Sequence, residues 1–192
     1  MPAPRLVLTP RLPDWTPDNA GIIVRALQDI QLVDDSLPVS GYYSAGSAFL
    51  DYLSFLGCAP TVVFEPPASN SIGSGDFYHF QIAITPAHSV LRSDGFSYTP
   101  KCPACKEALP SWREWWPDQK VSEHSCPTCG APVSPEKLNW RRRAGCGRLF
   151  IDVLGIHAET VKPVPLLFER LEQATGTAWQ YFFVEDDGLS SS

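Results

Sequence analysis

Apolar positions recur at different spacings along this chain, and each spacing predicts a helix or a strand. Residues 5–9 form a short apolar run, which predicts a first strand. Apolar side chains then recur every three or four positions, at Ile22, Ile23, Ala26, Leu27 and Ile30. This spacing predicts a helix, and Asp18 is expected to be its N-cap.

A second stretch of helical spacing follows a turn-rich break at residues 34–41. Its apolar side chains are Ala45, Ala48, Phe49, Tyr52, Leu53 and Leu56. We therefore predict a second helix, which Gly57 ends because glycine tolerates the backbone conformation found after a helix.

Strand patterns occupy the middle of the chain. Residues 61–65 are apolar and β-branched, and residues 77–85 alternate, which predicts two strands. Residues 66–75, rich in Pro, Ser, Asn and Gly, are expected to connect them as a loop. That composition fits either a flexible tip or a binding loop.

The last third repeats the strand–helix–strand pattern. Residues 148–156 and 179–184 predict strands. The apolar face of the helix between them consists of Leu167, Phe168, Leu171 and Ala174. Gly176 is expected to end this helix. The acidic, serine-rich end of the chain, residues 186–192, is expected to be disordered.

The order of elements predicts an α+β fold with a mainly antiparallel sheet and helices on one face. Residues 1–98 and 148–185 are expected to form this body, and residues 99–147 a zinc-ribbon-like module inserted into it. Without the inserted module, the order is that of a ferredoxin-like variant.

Charge divides the chain in the same way. The 192 residues have a formal net charge of −6. Residues 101–148 contain nine Lys/Arg and five Asp/Glu, whereas the remainder contains six basic and sixteen acidic residues. The inserted segment is therefore mildly basic within an acidic body, which repels rather than attracts nucleic acid.

Cellular location affects how the cysteines are interpreted. The first residues show no apolar signal segment, and no stretch approaches the ~20 apolar residues that span a bilayer. We therefore expect a soluble cytoplasmic protein that does not associate with membranes. Thiols stay reduced in that compartment, which favours metal ligands over disulfides.

Four cysteines form two matched pairs, Cys102-Pro-Ala-Cys105 and Cys126-Pro-Thr-Cys129, separated by twenty residues. Zinc prefers four ligands in a tetrahedron, and each CxxC turn presents two thiolates on one side of a tight loop. We predict one bound Zn²⁺. Four protein ligands leave no open position for water or substrate, so the metal is expected to be structural.

The sequences CPAC and CPTCG resemble the two knuckles of a zinc ribbon, over residues ~100–150 only. Zinc ribbons occur in nucleic-acid-binding proteins, enzymes and adaptors, so the resemblance implies a structural metal and no particular function. Lys106 stands where the first knuckle usually has glycine.

Other interpretations of the cysteines are less favoured. A rubredoxin-like iron site uses similar knuckles, and a thioredoxin-like pair would open a helix. A zinc deaminase needs HxE before its cysteines, whereas His157-Ala158-Glu159 follows them. His124, two residues before Cys126, is an alternative ligand.

The remaining cysteines and histidines lack obvious partners. Cys58 is expected to be a buried free thiol. Cys146, between two glycines, is expected to be a tight-turn thiol, and a spare ligand or a reactive thiol is the alternative. His79 and His88 are expected to be structural or exposed.

A run of three arginines, Arg141, Arg142 and Arg143, follows Trp140. Arginine binds phosphate and indoles stack on bases, so these residues are candidate contacts to nucleic acid or to a partner. The favoured alternative is a solvated basic turn, with Trp140, Trp112, Trp115 and Trp116 covering the metal site.

No Walker loop, GxSxG or GxGxxG motif occurs in the sequence. The leading hypothesis is a non-enzymatic binding or adaptor protein that recognises a protein partner. The first alternative is nucleic-acid binding through the basic, Trp-rich module. The second is an enzyme of unknown reaction with its site on the α+β body, near residues 66–75 and His79, His88 or His157.

Overall fold

The computed structural model describes residues 3–56, 63–65, 72–85, 87–93, 98–117, 120–157 and 160–184. Its strands are β1 (Arg5–Pro10), β2 (Val33–Ser36), β3 (Tyr42–Ala45), β4 (Leu53–Phe55), β5 (His79–Ile84), β6 (Val90–Ser93), β7 (His124–Ser125), β8 (Pro132–Val133), β9 (Ala144–Gly147), β10 (Leu149–Leu154), β11 (Val161–Pro163) and β12 (Trp179–Val184). The helices are α1 (Ala20–Asp29), α2 (Trp112–Trp115) and α3 (Pro165–Thr175), with 3₁₀ turns at Phe49–Tyr52 and Pro135–Lys137.

A six-stranded antiparallel sheet is the centre of the molecule, in the order β12-β1-β10-β5-β3-β2. The predicted α+β class is confirmed. Strands β1, β5, β10 and β12, with α1 after β1 and α3 after β10, have the β-α-β-β-α-β connectivity of a ferredoxin-like motif. The β2–β3 hairpin widens the sheet beyond β5.

Both long helices cover one face of this sheet. Ile23 and Leu27 of α1 and Leu167 and Leu171 of α3 lie in one buried cluster with side chains of β1, β5 and β10. Helix α3 ends at Gly176, as predicted, with the glycine at φ 70° and its N–H bonded to the Glu172 carbonyl at 2.8 Å.

The N-cap of α1 is Asn19, one residue after the predicted Asp18. The Asn19 side chain accepts a hydrogen bond from the backbone N–H of Ile22 at 3.2 Å. Asn and Asp cap helices about equally well, so the local sequence allowed both positions.

The predicted second helix is wrong. Its first residue, Ala45, ends β3 and pairs with Val33 of β2, and its last part is β4, which pairs with β11. Only the single 3₁₀ turn Phe49–Tyr52 is helical, and it buries Phe49 and Tyr52. A Cβ at Gly46 would overlap the backbone carbonyl of Gln31, so the chain bends there against its own backbone.

Two other predicted segments differ from the structure. The break at residues 34–41 contains the edge strand β2, whose exposed Asp34, Asp35 and Ser36 discourage pairing with another chain. Of the strand predicted at residues 61–65, residues 63–65 have no strand pairing and 61–62 lie outside the described residues. Most of the 66–75 loop, Cys58 and residues 185–192 also lie outside them.

The second face of the sheet is covered by a two-stranded ribbon formed by β6 and β9. The cysteine-rich segment runs between these two strands. Gly145 and Gly147 let the ribbon lie close to the sheet. A Cβ at Gly145 would overlap the Phe182 ring, and one at Gly147 would meet the Thr9 hydroxyl. The glycines therefore serve contact between layers and do not form the tight turn expected around Cys146.

A buried charge joins the ribbon to the sheet. Asp152 of β10 is 1% exposed and accepts hydrogen bonds from Arg92 of β6 at 2.9 and 3.0 Å. Arg5 lies 3.4 Å from the same carboxylate, and the Arg92 guanidinium lies 4.2 Å above the Phe150 ring. A buried carboxylate is tolerated when paired in this way.

In the described part of the chain, no helix is both long enough and apolar enough to cross a lipid bilayer.

Replacing Gly145 with Ala is expected to lower the free energy of unfolding by about 1–3 kcal/mol, because the new methyl group lies 2.6 Å from Cδ1 of Phe182. Chemical denaturation measures this change. Gly75→Ala is the control, since its Cβ would meet its nearest neighbour, in Pro4, at 3.4 Å. Equal stability of the two variants would contradict the close-approach role.

Candidate metal centre

The two CxxC turns have the same backbone structure. In the first turn, the N–H of Lys106 donates to the Cys102 carbonyl at 3.0 Å, and the N–H of Cys102 donates to the Glu107 carbonyl at 2.9 Å. The second turn repeats both bonds at 2.9 Å, from Gly130 to Cys126 and from Cys126 to Ala131. Each pair of cysteines is thus held by a closed set of local bonds.

Lys106 adopts the conformation that Gly130 adopts in the second turn. Their φ angles are 66° and 71°, both in the left-handed region that favours glycine. The lysine Nζ donates to the Pro103 carbonyl at 2.6 Å. The departure from the usual glycine therefore leaves the turn unchanged, at the expense of an unfavourable backbone conformation at one residue.

The four cysteine sulfur atoms lie within 4.8 Å of one another. Sγ of Cys102 is 3.8 Å from that of Cys129, and Sγ of Cys105 is 3.8 Å from that of Cys126. A tetrahedron with metal–sulfur bonds of about 2.3 Å has edges of about 3.8 Å. The cluster therefore fits a tetrahedral metal ion, with contacts between the pairs as well as within them.

Backbone N–H groups favour the thiolate form of two of these cysteines. The N–H groups of Cys105 and Ala104 point at Sγ of Cys102 and lower its pKa. The same arrangement, with the N–H of Cys129 as the main cause, lowers the pKa of Cys126 to about 6. Such donors compensate part of the thiolate charge that metal ligation requires.

Cys105 shows the opposite shift. The N–H of Glu107 favours its thiolate, but burial and the three neighbouring sulfur atoms outweigh that bond and raise its pKa to about 12. Four negative sulfur atoms this close together repel one another.

Tryptophan side chains form the core around the cysteines. Trp112, Trp116 and Trp140 are each at most 7% exposed and pack in one cluster with Cys102 and Cys126. The indole N–H of Trp140 donates to the Pro135 carbonyl at 2.7 Å, and that of Trp116 to the Ser122 carbonyl at 2.8 Å. Their rings therefore support the cluster and are not free to stack on bases.

His124 lies outside the group of metal-ligating atoms in the described residues. Its ring stacks on Trp115 with centroids 5.6 Å apart and meets Trp116 edge-on at 5.7 Å. Its Nε2 is 3.3 Å from the Ser122 hydroxyl. The histidine thus packs beside the cysteines.

The arginine run forms a tight turn at the surface. Arg141 and Arg142 are exposed, with φ angles of 48° and 63°, and the N–H of Arg143 donates to the Trp140 carbonyl at 2.9 Å. The Arg142 guanidinium lies 4.1 Å above the ring of Tyr181 in β12. The arginine run is evident in the sequence, whereas the groove that it borders forms only in the fold.

That groove contains a cavity of about 400 Å³ between the turn and the sheet. Arg11, Lys137, Arg142 and Tyr181 are among its lining residues. Arg11 comes from the loop after β1 and gave no sequence signal, since only the fold brings it beside Arg142.

Cys146 is buried on β9 and lies in the hydrophobic cluster around the candidate metal-ligand cysteines. Burial, helped by the negative charge of Glu136, raises the pKa of its thiol well above the usual range. This environment favours the unreactive thiol form.

The histidines proposed for an enzyme site differ in burial. His79 is fully buried, its Nε2 accepts the N–H of Gly73 at 2.9 Å, and its Nδ1 lies 3.0 Å from the Phe77 carbonyl. Both ring nitrogens are therefore used. His88 and His157 are exposed, and Ala158 and Glu159 lie outside the described residues.

Replacing Lys106 with Gly is expected to raise the free energy of unfolding of the metal-loaded protein by about 1 kcal/mol, because it removes the strain of a left-handed lysine. Gly130→Ala should lower it by a similar amount, since nothing lies within 4 Å of the added Cβ and only backbone conformation changes. Chemical denaturation of both variants measures the effects. A loss of stability in Lys106→Gly would show that the lysine contacts matter more than its backbone.

The environment of His79 predicts a pH dependence of stability. Burial lowers the pKa of His79, although the bond to the Phe77 carbonyl acts in the opposite direction. The unfolded chain, with an ordinary histidine pKa of about 6.5, binds the proton more readily. The contribution of neutral His79 to the free energy of unfolding is therefore complete above pH 6.5 and is lost as the pH falls below it.

Denaturation between pH 7.5 and 5.5 should show a shallower loss of stability in His79→Gln than in the unmodified protein. Thiolate protonation affects every variant alike, so the difference between variants isolates His79. The exposed His88→Gln is the control and should keep the original slope. If stability depends on pH equally steeply in His79→Gln, protonation of His79 does not cause the loss of stability.

No protein-family model, no curated protein and no solved structure matches this chain significantly.

Proposed function

We propose that the chain is a non-enzymatic binding or adaptor protein that recognises a protein partner and uses one structural Zn²⁺ ion. The ligands would be Cys102, Cys105, Cys126 and Cys129. The observation that supports this proposal most strongly is the pair of 3.8 Å sulfur–sulfur distances between the two turns. Zinc is favoured over iron because closed Cys₄ shells in small modules are most often zinc sites.

We also propose that residues 99–147 act as a zinc-ribbon-like module inserted into a body of residues 1–98 and 148–185. Most members of the second hydrophobic cluster lie within this segment, Trp112, Trp116 and Trp140 among them, and Leu91 and Tyr98 join it from outside. In small modules of this kind, zinc contributes on the order of 10–16 kcal/mol to folding. Reduced thiols are required throughout, which suits the cytoplasm.

A binding role suits the chemistry of the centre better than catalysis does. Four sulfur ligands leave zinc no open position for a substrate. His79, the buried histidine of the body, has both ring nitrogens bonded to backbone groups. The surface beside the module instead offers exposed arginines at the edge of a groove, which suits recognition.

Nucleic-acid binding is the second candidate, because Arg141 and Arg142 are exposed on the basic segment. The burial of Trp112, Trp116 and Trp140, with the half-buried Trp115 stacked on His124, removes most of the stacking surface on which that hypothesis relied. Affinity for single- and double-stranded oligonucleotides across a salt series distinguishes the two. Binding that weakens steeply with salt would favour this candidate.

The purified protein is expected to contain one zinc ion per chain by elemental analysis. Cys102→Ser and Cys126→Ser should lose it, together with the near-ultraviolet circular dichroism of the surrounding tryptophans. Cobalt substitution should give the absorption of tetrahedral thiolate coordination. Cys146→Ser, which changes a buried cysteine that is not one of the four candidate ligands, should retain the metal; zinc loss in this variant alone would contradict the ligand assignment.

Partner recognition is tested by affinity capture from native extract at moderate salt. The zinc-loaded protein should retain a specific protein that Cys126→Ser releases, because the module is no longer ordered. No protein above background, with the zinc content intact, would count against the proposal.

A further inference from the structure

We propose that the groove between the Arg141–Arg142 turn and the outer edge of β12 binds an extended acidic segment of the protein partner. The inference rests on the proposed binding function and names the chemistry of the partner. Charge, an unusual turn and an open strand edge support it.

The groove concentrates positive charge on an acidic protein. Its cavity of about 400 Å³ is lined by Arg11, Lys137, Arg141 and Arg142, and Glu136 is the one carboxylate among its lining residues in the described chain. All four basic side chains belong to exposed residues. Among the described residues, none of the four has a carboxylate within ion-pair distance. Their charges are thus available to a ligand.

The turn that carries two of these arginines has an unusual sequence. Tight turns with two consecutive positive φ angles are normally made of Asn and Gly, whereas here the two residues are Arg141 and Arg142. Each left-handed arginine costs on the order of 1 kcal/mol. This conformation places two guanidinium groups at the edge of the groove. That of Arg141 lies over Tyr98 at 5.6 Å, and that of Arg142 lies over Tyr181 at 4.1 Å.

Strand β12 has an outer edge that is open at Tyr181 and filled beside it by the protein's own groups, since Nε of Arg11 donates to the Trp179 carbonyl at 3.3 Å. It is the outermost strand, paired with β1 on one side. The N–H of Phe183 points away from β1 and donates to the Arg142 carbonyl at 2.9 Å. Because backbone groups alternate along an antiparallel strand, the N–H and C=O of Tyr181 also point outward, into the groove. An extended peptide can bond to such an edge.

The charge along the groove also orients the ligand. An adjoining cavity of about 670 Å³ shares Arg11, Arg142 and Tyr181 with the first, but its wall on α3 contains Glu169 and Glu172. Acidic side chains of a bound peptide are therefore expected at the Lys137 end. A nucleic-acid strand would bring regularly spaced phosphates against the α3 carboxylates, which disfavours it.

Fluorescence anisotropy with the full-length, zinc-loaded protein tests the proposal. The probe is a labelled peptide of three Glu-Val repeats, and a peptide of three Gln-Val repeats is its uncharged match. We expect the acidic peptide to bind at least about tenfold more tightly, since two or more charge-assisted contacts depend on its carboxylates. Binding should shift the Tyr181 amide signal in ¹H–¹⁵N spectra.

Arg141→Gln/Arg142→Gln should weaken binding of the acidic peptide at least about tenfold. The control, Arg25→Gln/Arg170→Gln, removes the same charge from exposed positions on α1 and α3 and should bind normally. Equal binding of both peptides, an equal loss in the control, or tighter binding of a single-stranded oligonucleotide at the same site would overturn the proposal. Zinc content verifies that each variant is folded.

The groove and the proposed function can fail separately. If affinity capture recovers a partner that Arg141→Gln/Arg142→Gln retains in full, the groove is not its binding site, while the binding function stands. If the peptides behave as expected and no partner is recovered, the groove is a genuine acidic-peptide site and the proposed function is wrong.

Discussion

The arrangement of four cysteine sulfur atoms within 4.8 Å of one another is the constraint on which the inserted segment depends. As thiolates these atoms repel, and a cation at their centre turns repulsion into attraction. Two features of the CxxC turns favour cation binding. Backbone N–H groups point at sulfur, and Lys106 and Gly130 adopt the left-handed backbone conformation. The tryptophan cluster then packs on an already fixed frame.

Contact between the segment and the sheet depends on small residues and one buried charge. Gly145 and Gly147 let the β6–β9 ribbon lie directly on the sheet, and Arg92 reaches Asp152 beneath it. A ribbon held this closely fixes the position of the Arg141–Arg142 turn relative to β12. The groove therefore forms only where the ribbon packs against the sheet, and residues of both line it.

Much of this structure follows from local sequence patterns. Alternation and helical spacing predicted β1, β5, α3 and β12, since each has one face in the main core and suitable ends. Matched CxxC spacing predicted which cysteines come together, because each turn is closed by its own backbone bonds.

The failures have a common physical cause in tertiary contacts. Residues 45–56 carry a helical apolar spacing, but pairing of Ala45 with Val33 of β2 and of β4 with β11 stabilises extended backbone at both ends of the segment instead. Gly145 was interpreted as a turn residue because the neighbouring sequence does not show its close contact with Phe182, which is distant along the chain. The groove was missed for the same reason, as Arg11 and Arg142 are distant in sequence.

The most direct test of the central claim is an anomalous difference map from crystals of the native protein, recorded on both sides of the zinc absorption edge. A structural zinc ion gives one strong peak per chain, equidistant from Sγ of Cys102, Cys105, Cys126 and Cys129 at about 2.3 Å, which disappears below the edge. The absence of a peak among the four sulfur atoms would contradict the zinc assignment, as would a peak that persists below the zinc edge and so belongs to a lighter transition metal such as iron.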